Sequence, residues 1–155
     1  MNIHFHPSTS LLSSEQLSPC LSHQLKRWDI PTDAKRLAMN LRKRSFYTQR
    51  LGHPPVEIHL ERATKSAPWQ IIVIASFGFI DENDKQLDMD LYFNLKRGWI
   101  YQPLTLQCNL LEPSALSLLV SFSNALAKSI TNKKFDELTL CVSGTFTTPV
   151  QGQRI

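Results

Sequence analysis

Glycine is scarce in this chain, and its scarcity restricts the chemistry that the chain can support. Only 5 of the 155 residues are glycine, whereas dinucleotide-binding folds depend on a glycine-rich turn. The sequence also lacks a G-x-S-x-G nucleophile elbow and a G-x-x-x-x-G-K-[ST] phosphate loop. The residues therefore give no support to dinucleotide binding or to nucleophilic catalysis by these motifs.

Cysteine is also rare. Cys20, Cys108 and Cys141 are odd in number and widely spaced, which predicts free thiols in a reducing cytoplasm rather than a disulfide framework. The stretches HFH (4–6) and CLSH (20–23) have spacings that suit zinc ligands, but a structural zinc site needs four ligands in defined pairs, and the chain contains no CxxC or HxxxH pair. We therefore expect no metal and no cofactor.

A long apolar run is absent as well. No stretch of about 18 uncharged apolar residues occurs, so no membrane span is predicted. The N-terminus lacks the basic and apolar regions of a secretory signal. Hydrophobic residues make up 42% and charged residues 19% of the chain, as in a globular protein. This length suits one domain, which would bury roughly 70% of its unfolded surface.

Positive charge is concentrated in the first third of the chain. Residues 1–50 hold eight basic and three acidic residues, within a chain of net charge +4. The stretch LRKRSFYTQR (41–50) combines cations with aromatic rings, which are the ingredients of nucleic-acid contacts. The candidate nucleic-acid-binding residues are Arg42, Lys43, Arg44, Tyr47 and Arg50. The interpretation that we favour is that this basic segment docks on the acidic strands of its own chain.

Three segments in the middle of the chain predict an antiparallel meander. Residues 56–61 and 87–95 alternate apolar and polar side chains, and residues 69–80 are apolar on both faces. A period of two points alternate side chains to opposite faces of a strand. The connections are short, and parallel neighbours would need long crossovers. The middle segment should be a central strand that is covered on both sides.

The stretch GHPPVEIHLER places Glu57, His59 and Glu61 on the polar face of the first of these strands. Asp88 and Asp90 from another strand are available for the same face. A carboxylate–histidine cluster can perform acid–base chemistry, so His59, Glu57, Asp88 and Asp90 are candidate catalytic residues. The simpler interpretation, which we favour, is an ordinary water-facing strand surface without catalysis.

Residues 113–131 predict one long helix. Pro113 suits the first helical position, and the apolar side chains cover an arc of roughly 220°, wider than the stripe of an ordinary surface helix. Such a helix must be covered on two sides, either by the sheet and the N-terminal segment or by a partner subunit. In the second case Leu118 and Phe122 would belong to a homodimer interface.

The N-terminal third is less regular. Residues 1–30 are rich in serine and proline and predict a loosely ordered arm with room for a short helix. Residues 32–47 fit either a helix or a strand in which alternate side chains are apolar, namely Leu37, Met39 and Leu41. Residues 31–146 would then form a single domain, and residues 147–155 a C-terminal tail.

Several short motifs over residues 40–144 resemble the bacterial domain of unknown function 2787 family. They are an N-[LF]-R…S-[FY]-[YS] segment, a G-[FYH]-[HP]-P-V-E-I stretch from Gly52 to Ile58, the pair Trp69-Gln70, and a strand in which aspartate alternates with apolar residues. The chain departs from the family's usual pattern at Arg42-Lys43, where arginine is more often followed by aspartate. The resemblance implies a small α+β protein and an extended 38–47 segment, and it brings no catalytic residues.

Taken together, these patterns predict an α+β fold. An antiparallel sheet of four to five strands would pack one face on the helix at about 113–131, with N-terminal structure across the other side. The expected function is a non-catalytic protein-interaction module in the cytoplasm, with itself or another protein as its partner. The alternatives are a nucleic-acid-associated accessory protein that uses residues 42–50, and an enzyme with the carboxylate–histidine site.

Overall fold

A computed structural model describes residues 2–6, 15–79, 81, 83, 85–103, 106–147 and 153–154. The described chain forms nine strands and three helices. The strands are β1 (Ile3–Phe5), β2 (Ala34–Arg42), β3 (Val56–Glu61), β4 (Trp69–Gly78), β5 (Asp88–Asn94), β6 (Trp99–Gln102), β7 (Leu106–Asn109), β8 (Glu137–Thr145) and β9 (Gln153–Arg154). The helices are α1 (Leu17–Leu25), α2 (Arg44–Gln49) and α3 (Pro113–Thr131).

All nine strands form one sheet. Eight of them follow the order β7-β6-β5-β4-β3-β2-β8-β9 with antiparallel neighbours, and β1 pairs parallel to β4. The predicted mixture of a helix of 19 residues with an antiparallel sheet is confirmed. The predicted number of four to five strands is wrong. Strands β1, β6, β7 and β9 have only two to four residues each, which is too short for a period of two to stand out.

The ambiguous segment 32–47 divides into a strand and a short helix. In β2, Leu37, Met39 and Leu41 are fully buried, so the alternation predicted for a strand is confirmed there. Strand β2 lies in the middle of the sheet, between β3 and β8. The extended conformation implied by the family resemblance ends at Arg42, because α2 begins two residues later.

The N-terminal segment takes part in the fold. Strand β1 pairs with Trp69–Ile71, at the beginning of β4. The pairing of β4 with β5 starts at Val73, so it does not include these residues. The Ile3 N–H donates a hydrogen bond to the Ser22 hydroxyl, which joins β1 to α1. The short helix that the N-terminal segment was predicted to allow is therefore α1. The division into an arm, a domain and a tail stays a prediction, and most of 147–155 lies outside the described residues.

The two longer helices lie side by side on one face of the sheet. The buried side chains of α1, which are Leu17, Leu21 and Leu25, share one hydrophobic core with α3 and the inward side chains of the strands. The Gln16 N–H also donates a hydrogen bond to the Asn124 side-chain oxygen of α3, at 3.0 Å. The sheet and the N-terminal segment together therefore cover α3. The expectation that N-terminal structure would lie across the opposite face of the sheet is wrong for α1.

The opposite side of the sheet is called the outer face below. Register places the following residues on it: Ala38 and Asn40 of β2, Glu57 and His59 of β3, Val73 and Ala75 of β4, Tyr92 and Asn94 of β5, and Trp99 and Tyr101 of β6. A second, smaller hydrophobic cluster lies here, in which the β4 side chains pack with Phe77 and Tyr92. The side chains of β4 are buried on both faces, as predicted, although neither α1 nor α3 lies over this cluster. None of the described helices is long and apolar enough to span a membrane.

The docking of α1 can be tested by a core substitution. Leu21 is fully buried in the common core, so Leu21→Ala should lower the free energy of unfolding by about 2–5 kcal/mol, measured by urea denaturation. The matched control is Leu51→Ala, because the Leu51 side chain is 62% exposed and its loss should change the stability by less than about 0.5 kcal/mol. Equal stabilities of the two variants would mean that α1 does not pack as described.

Candidate functional site

The outer face is ordered in rows of paired residues that cross the strands. One row runs from Cys141 through Ala38, His59, Val73 and Asn94 to Trp99. The next row runs from Thr139 through Asn40, Glu57, Ala75 and Tyr92 to Tyr101. Directly paired residues in antiparallel strands point to the same face, so the sheet presents these side chains as one surface.

The part of the outer face formed by β4, β5 and β6 is apolar and aromatic. The rings of Tyr92 and Trp99 are stacked, with centroids 5.0 Å apart and planes inclined by 28°. Next to them, Val73 and Ala75 are buried although they lie on the side of the sheet that faces away from α1 and α3. Tyr92 and Trp99 are half-buried, so part of each ring remains in contact with solvent.

Glu57 and His59 form a hydrogen-bonded pair within this face. Residues two apart on a strand point the same way, and His59 Nε2 lies 2.6 Å from Glu57 Oε1. The hydrogen bond from His59 lowers the pKa of the Glu57 carboxyl below its ordinary value. About a third of each side chain is exposed, 37% for His59 and 32% for Glu57. The pair is therefore an open surface feature.

The four candidate catalytic residues do not assemble into one site. Glu57 lines a small hollow of about 200 Å³ whose described lining does not include His59. Asp88 and Asp90 are exposed at the beginning of β5. Among the described residues, neither aspartate makes a hydrogen bond or an ion pair with the Glu57–His59 pair. Within that part of the chain, no group of three histidine, cysteine, aspartate or glutamate side chains is arranged to hold a metal ion.

Glu61, at the end of the same polar strand face, is the centre of an ion-pair network. Arg36 Nε and Lys96 Nζ contact its two carboxylate oxygens, the latter at 2.9 Å. Burial raises the pKa of Glu61, but the hydrogen bonds from Lys96 and Arg36 outweigh it, so the pKa is lowered overall. The network joins β2, β3 and the turn after β5. The sequence pattern identified Glu61 as a polar strand residue but gave no sign of its partners.

The basic segment 42–50 does not form one continuous surface. The exposed Arg42 side chain is close enough to Glu57 to lower the pKa of that carboxyl further. Lys43 Nζ lies 3.8 Å from Asp136 Oδ2, and the Arg44 N–H donates to the same aspartate. The Arg50 guanidinium lies 3.9 Å from the centre of the Phe79 ring. These cations therefore point to different neighbours.

The aromatic side chains of α2 also differ in their surroundings. Phe46 stacks on Phe79 with centroids 5.5 Å apart, whereas Tyr47 remains 43% exposed. Tyr47 lines the small hollow beside Glu57, together with Asn40 and Phe77. Of the residues predicted to contact nucleic acid, only Arg42 and Tyr47 therefore border the outer face.

The residues predicted for a dimer interface on α3 contact the core of their own chain. Leu118 and Phe122 are half-buried and pack against the main hydrophobic cluster. The Phe122 ring lies 5.8 Å from the ring of Phe93 on β5. Much of the apolar surface of α3 is therefore buried within the chain and is not available to a partner subunit.

Comparison with known proteins supports the architecture. The family described as "Protein of unknown function (DUF2787)" matches residues 15–140. The hypothetical protein VC0508 from the VSP-II pathogenicity island of Vibrio cholerae has a similar structure, with 21% identity and a TM-score of 0.75; the match covers 89% of this chain and 97% of that one. The conserved hypothetical protein VC1805 from the VPI-2 island of Vibrio cholerae is similar at 20% identity, with a TM-score of 0.63 and coverages of 90% and 95%. No curated protein matches the chain.

The Glu61 network predicts a specific pH dependence. Because the pKa of Glu61 is lowered in the folded chain, the ionised carboxylate stabilises the fold above its unfolded pKa, and this stabilisation is lost as the pH falls through the folded pKa. Glu61→Gln should therefore lower the free energy of unfolding at pH 7, by up to about 1 kcal/mol, and should have little effect near pH 2. Urea denaturation at both pH values measures the difference. An equal loss at both would contradict the network.

Proposed function

Because this chain belongs to the DUF2787 family, which is described as a family of unknown function, we propose from its geometry that it is a non-catalytic interaction module. The outer face of the sheet is its docking surface, and a second copy of the chain is the partner that docks there. The observation that carries this proposal is the stacked Tyr92–Trp99 pair, which is half-buried on a face that neither α1 nor α3 covers.

The composition of the outer face supports protein recognition. Interface centres are rich in tyrosine and tryptophan and poor in charge, and their rims are polar. The part of this face on β4, β5 and β6 contains Val73, Ala75 and the stacked aromatic pair. Charged side chains lie towards the strand ends, with Arg36, Glu61 and Lys96 at one end and Asp88, Asp90 and Arg42 at the other.

The size of the outer face suits a small specific interface. Strands lie about 4.8 Å apart and rise about 3.3 Å per residue, so six strands with about six residues each present roughly 600 Å². The smallest specific protein interfaces bury about 600 Å² on each partner. The face would therefore have to dock over most of its extent, as two packed sheets do in a sandwich.

Charge complementarity favours a second copy as the partner. Strand β5 has Asp88 and Asp90 at its beginning, and Lys96 follows its end. Two copies can face each other across a two-fold axis that lies between their sheets and runs perpendicular to the strands. This axis would place Asp88 and Asp90 of one copy opposite Lys96 of the other. A symmetric dimer of this kind uses the same patch on both subunits. The chain then supplies its own complementary partner.

The surroundings of His59 support a role without catalysis. A general base acts on a substrate held in a concave, largely apolar site. His59 is hydrogen-bonded to Glu57 on an open strand surface, and Asp88 and Asp90 are not in contact with the pair. The outer face thus offers area and aromatic surface for docking rather than a cavity for a reaction.

The dimer can be tested by sedimentation equilibrium. We expect the chain to form a dimer that dissociates on dilution, and Trp99→Lys to be monomeric at the same concentrations, because the substitution replaces half of the stacked aromatic pair by a charge. Tyr101→Lys, on the same face, is a second variant. Leu111→Lys is the matched control, since Leu111 is an exposed apolar residue in the turn before α3, and it should leave the dimer intact.

Circular dichroism should first establish that each variant is folded. A wild-type chain that is monomeric at every concentration would refute self-association. A folded Trp99→Lys variant that still dimerises would exclude the outer face as the interface.

A further inference from the structure

Two open hollows meet at the end of the molecule where α1 and α3 terminate. The first, of about 620 Å³, lies between the end of α1, the end of α3 and the beginning of β8. The second, of about 640 Å³, lies between the end of α3 and the residues before β3. Lys133 lines both hollows. Together they form a basic groove, defined by Arg27, Lys43, Lys133, Lys134, His23 and His53.

The charge in the basic groove is mostly positive. Four permanently charged cations line it, and Asp136 is the acidic residue among its lining residues. Asp136 lies 3.8 Å from Lys43 and also accepts the Arg44 N–H, so its charge is partly neutralised. A concave surface lined by one sign of charge focuses the electrostatic potential and attracts counter-ions. The groove therefore suits an anionic ligand.

The dipole of α3 explains only part of this arrangement. Cations near a helix C-terminus are stabilised by the partial negative charge of the last carbonyls, which accounts for Lys133 and Lys134 just beyond α3. The dipole of α1 accounts in the same way for Arg27, and Asp136 is the partner of Lys43, which follows β2. These local interactions do not explain why cations from three separate parts of the chain line one groove.

Neutral side chains in the basic groove add hydrogen-bonding groups, and an aromatic ring forms part of its base. Gln24, Thr131, Ser129 and Asn132 line the two hollows. The floor of the first hollow includes Phe135, whose ring also contacts the His53 ring at 4.5 Å. Phe135 is buried in the main core, which holds the lining residues of the groove in place.

We propose that the basic groove binds the phosphodiester backbone of a single-stranded nucleic acid. Two hollows of about 620 and 640 Å³ place four cations along one groove. Proteins that bind single strands follow the nucleic-acid backbone with a positively charged groove of this kind. Three of the four cations are lysines, and lysine binds phosphate as a point charge. The regularly spaced phosphates of a single strand therefore complement the groove in charge.

This site differs from the one predicted from the sequence. Of the basic segment 42–50, only Lys43 lines the groove, and the other cations come from beyond α1 and beyond α3. The groove is also separate from the outer face, so the inference does not depend on the proposed dimer.

The salt dependence of binding tests the proposal quantitatively. A fluorescein-labelled single-stranded DNA of about 16 nucleotides is titrated with the full chain, and binding is followed by fluorescence anisotropy between about 50 and 200 mM salt. The double substitution Lys133→Gln and Lys134→Gln should weaken binding. It should also reduce the slope of log K against log salt concentration by about 0.7 for each phosphate contact that is lost.

The matched control removes the same charge elsewhere. Lys65 and Lys85 are exposed and lie outside the groove, so the double substitution Lys65→Gln and Lys85→Gln should leave the slope unchanged. Three results would each overturn the proposal: no binding at the lowest salt concentration, the same loss of slope in the control, or tighter binding of polyglutamate or duplex DNA than of the single strand.

Discussion

The packing of α1 against α3 over the sheet is the contact on which the rest of the structure depends. The wide apolar arc of α3 cannot be satisfied by the sheet alone, and the three buried leucines of α1 provide the remaining cover. Burial of one leucine side chain contributes about 1.5–3 kcal/mol, so this contact is a substantial part of the marginal stability of a domain of this size. It also places both longer helices on the same side of the sheet.

That placement produces both candidate surfaces. With α1 and α3 on one face, neither of them lies over Val73, Ala75 and the stacked pair Tyr92–Trp99 on the outer face of the sheet. The same packing brings the ends of α1 and α3 together, and the basic groove lies between them. The proposed docking surface and the proposed nucleic-acid groove are thus two consequences of one arrangement of helices.

The sequence predicted the elements whose patterns are local. Alternation over 56–61 and 87–95 identified β3 and β5. The apolar arc identified α3 and indicated that two other parts of the structure must pack against it. It could not predict β1 or β9, because strands of two or three residues are defined by their partners rather than by their own pattern. The site was predicted less well. The hydrogen bond between Glu57 and His59 follows from their spacing, but the position of Lys43 beside Lys133 depends on how distant segments pack.

Fluorine NMR can test whether the outer face of the sheet docks on a second copy, as we propose, while α1 and α3 cover the other face. Labelling with 5-fluorotryptophan reports on Trp28 at the end of α1, on Trp69 in the core and on Trp99 on the outer face. We expect the Trp99 resonance alone to shift as the protein concentration rises. A Trp99 resonance that does not move with concentration, or a shift of the Trp28 resonance instead, would mean that the outer face is not the interface.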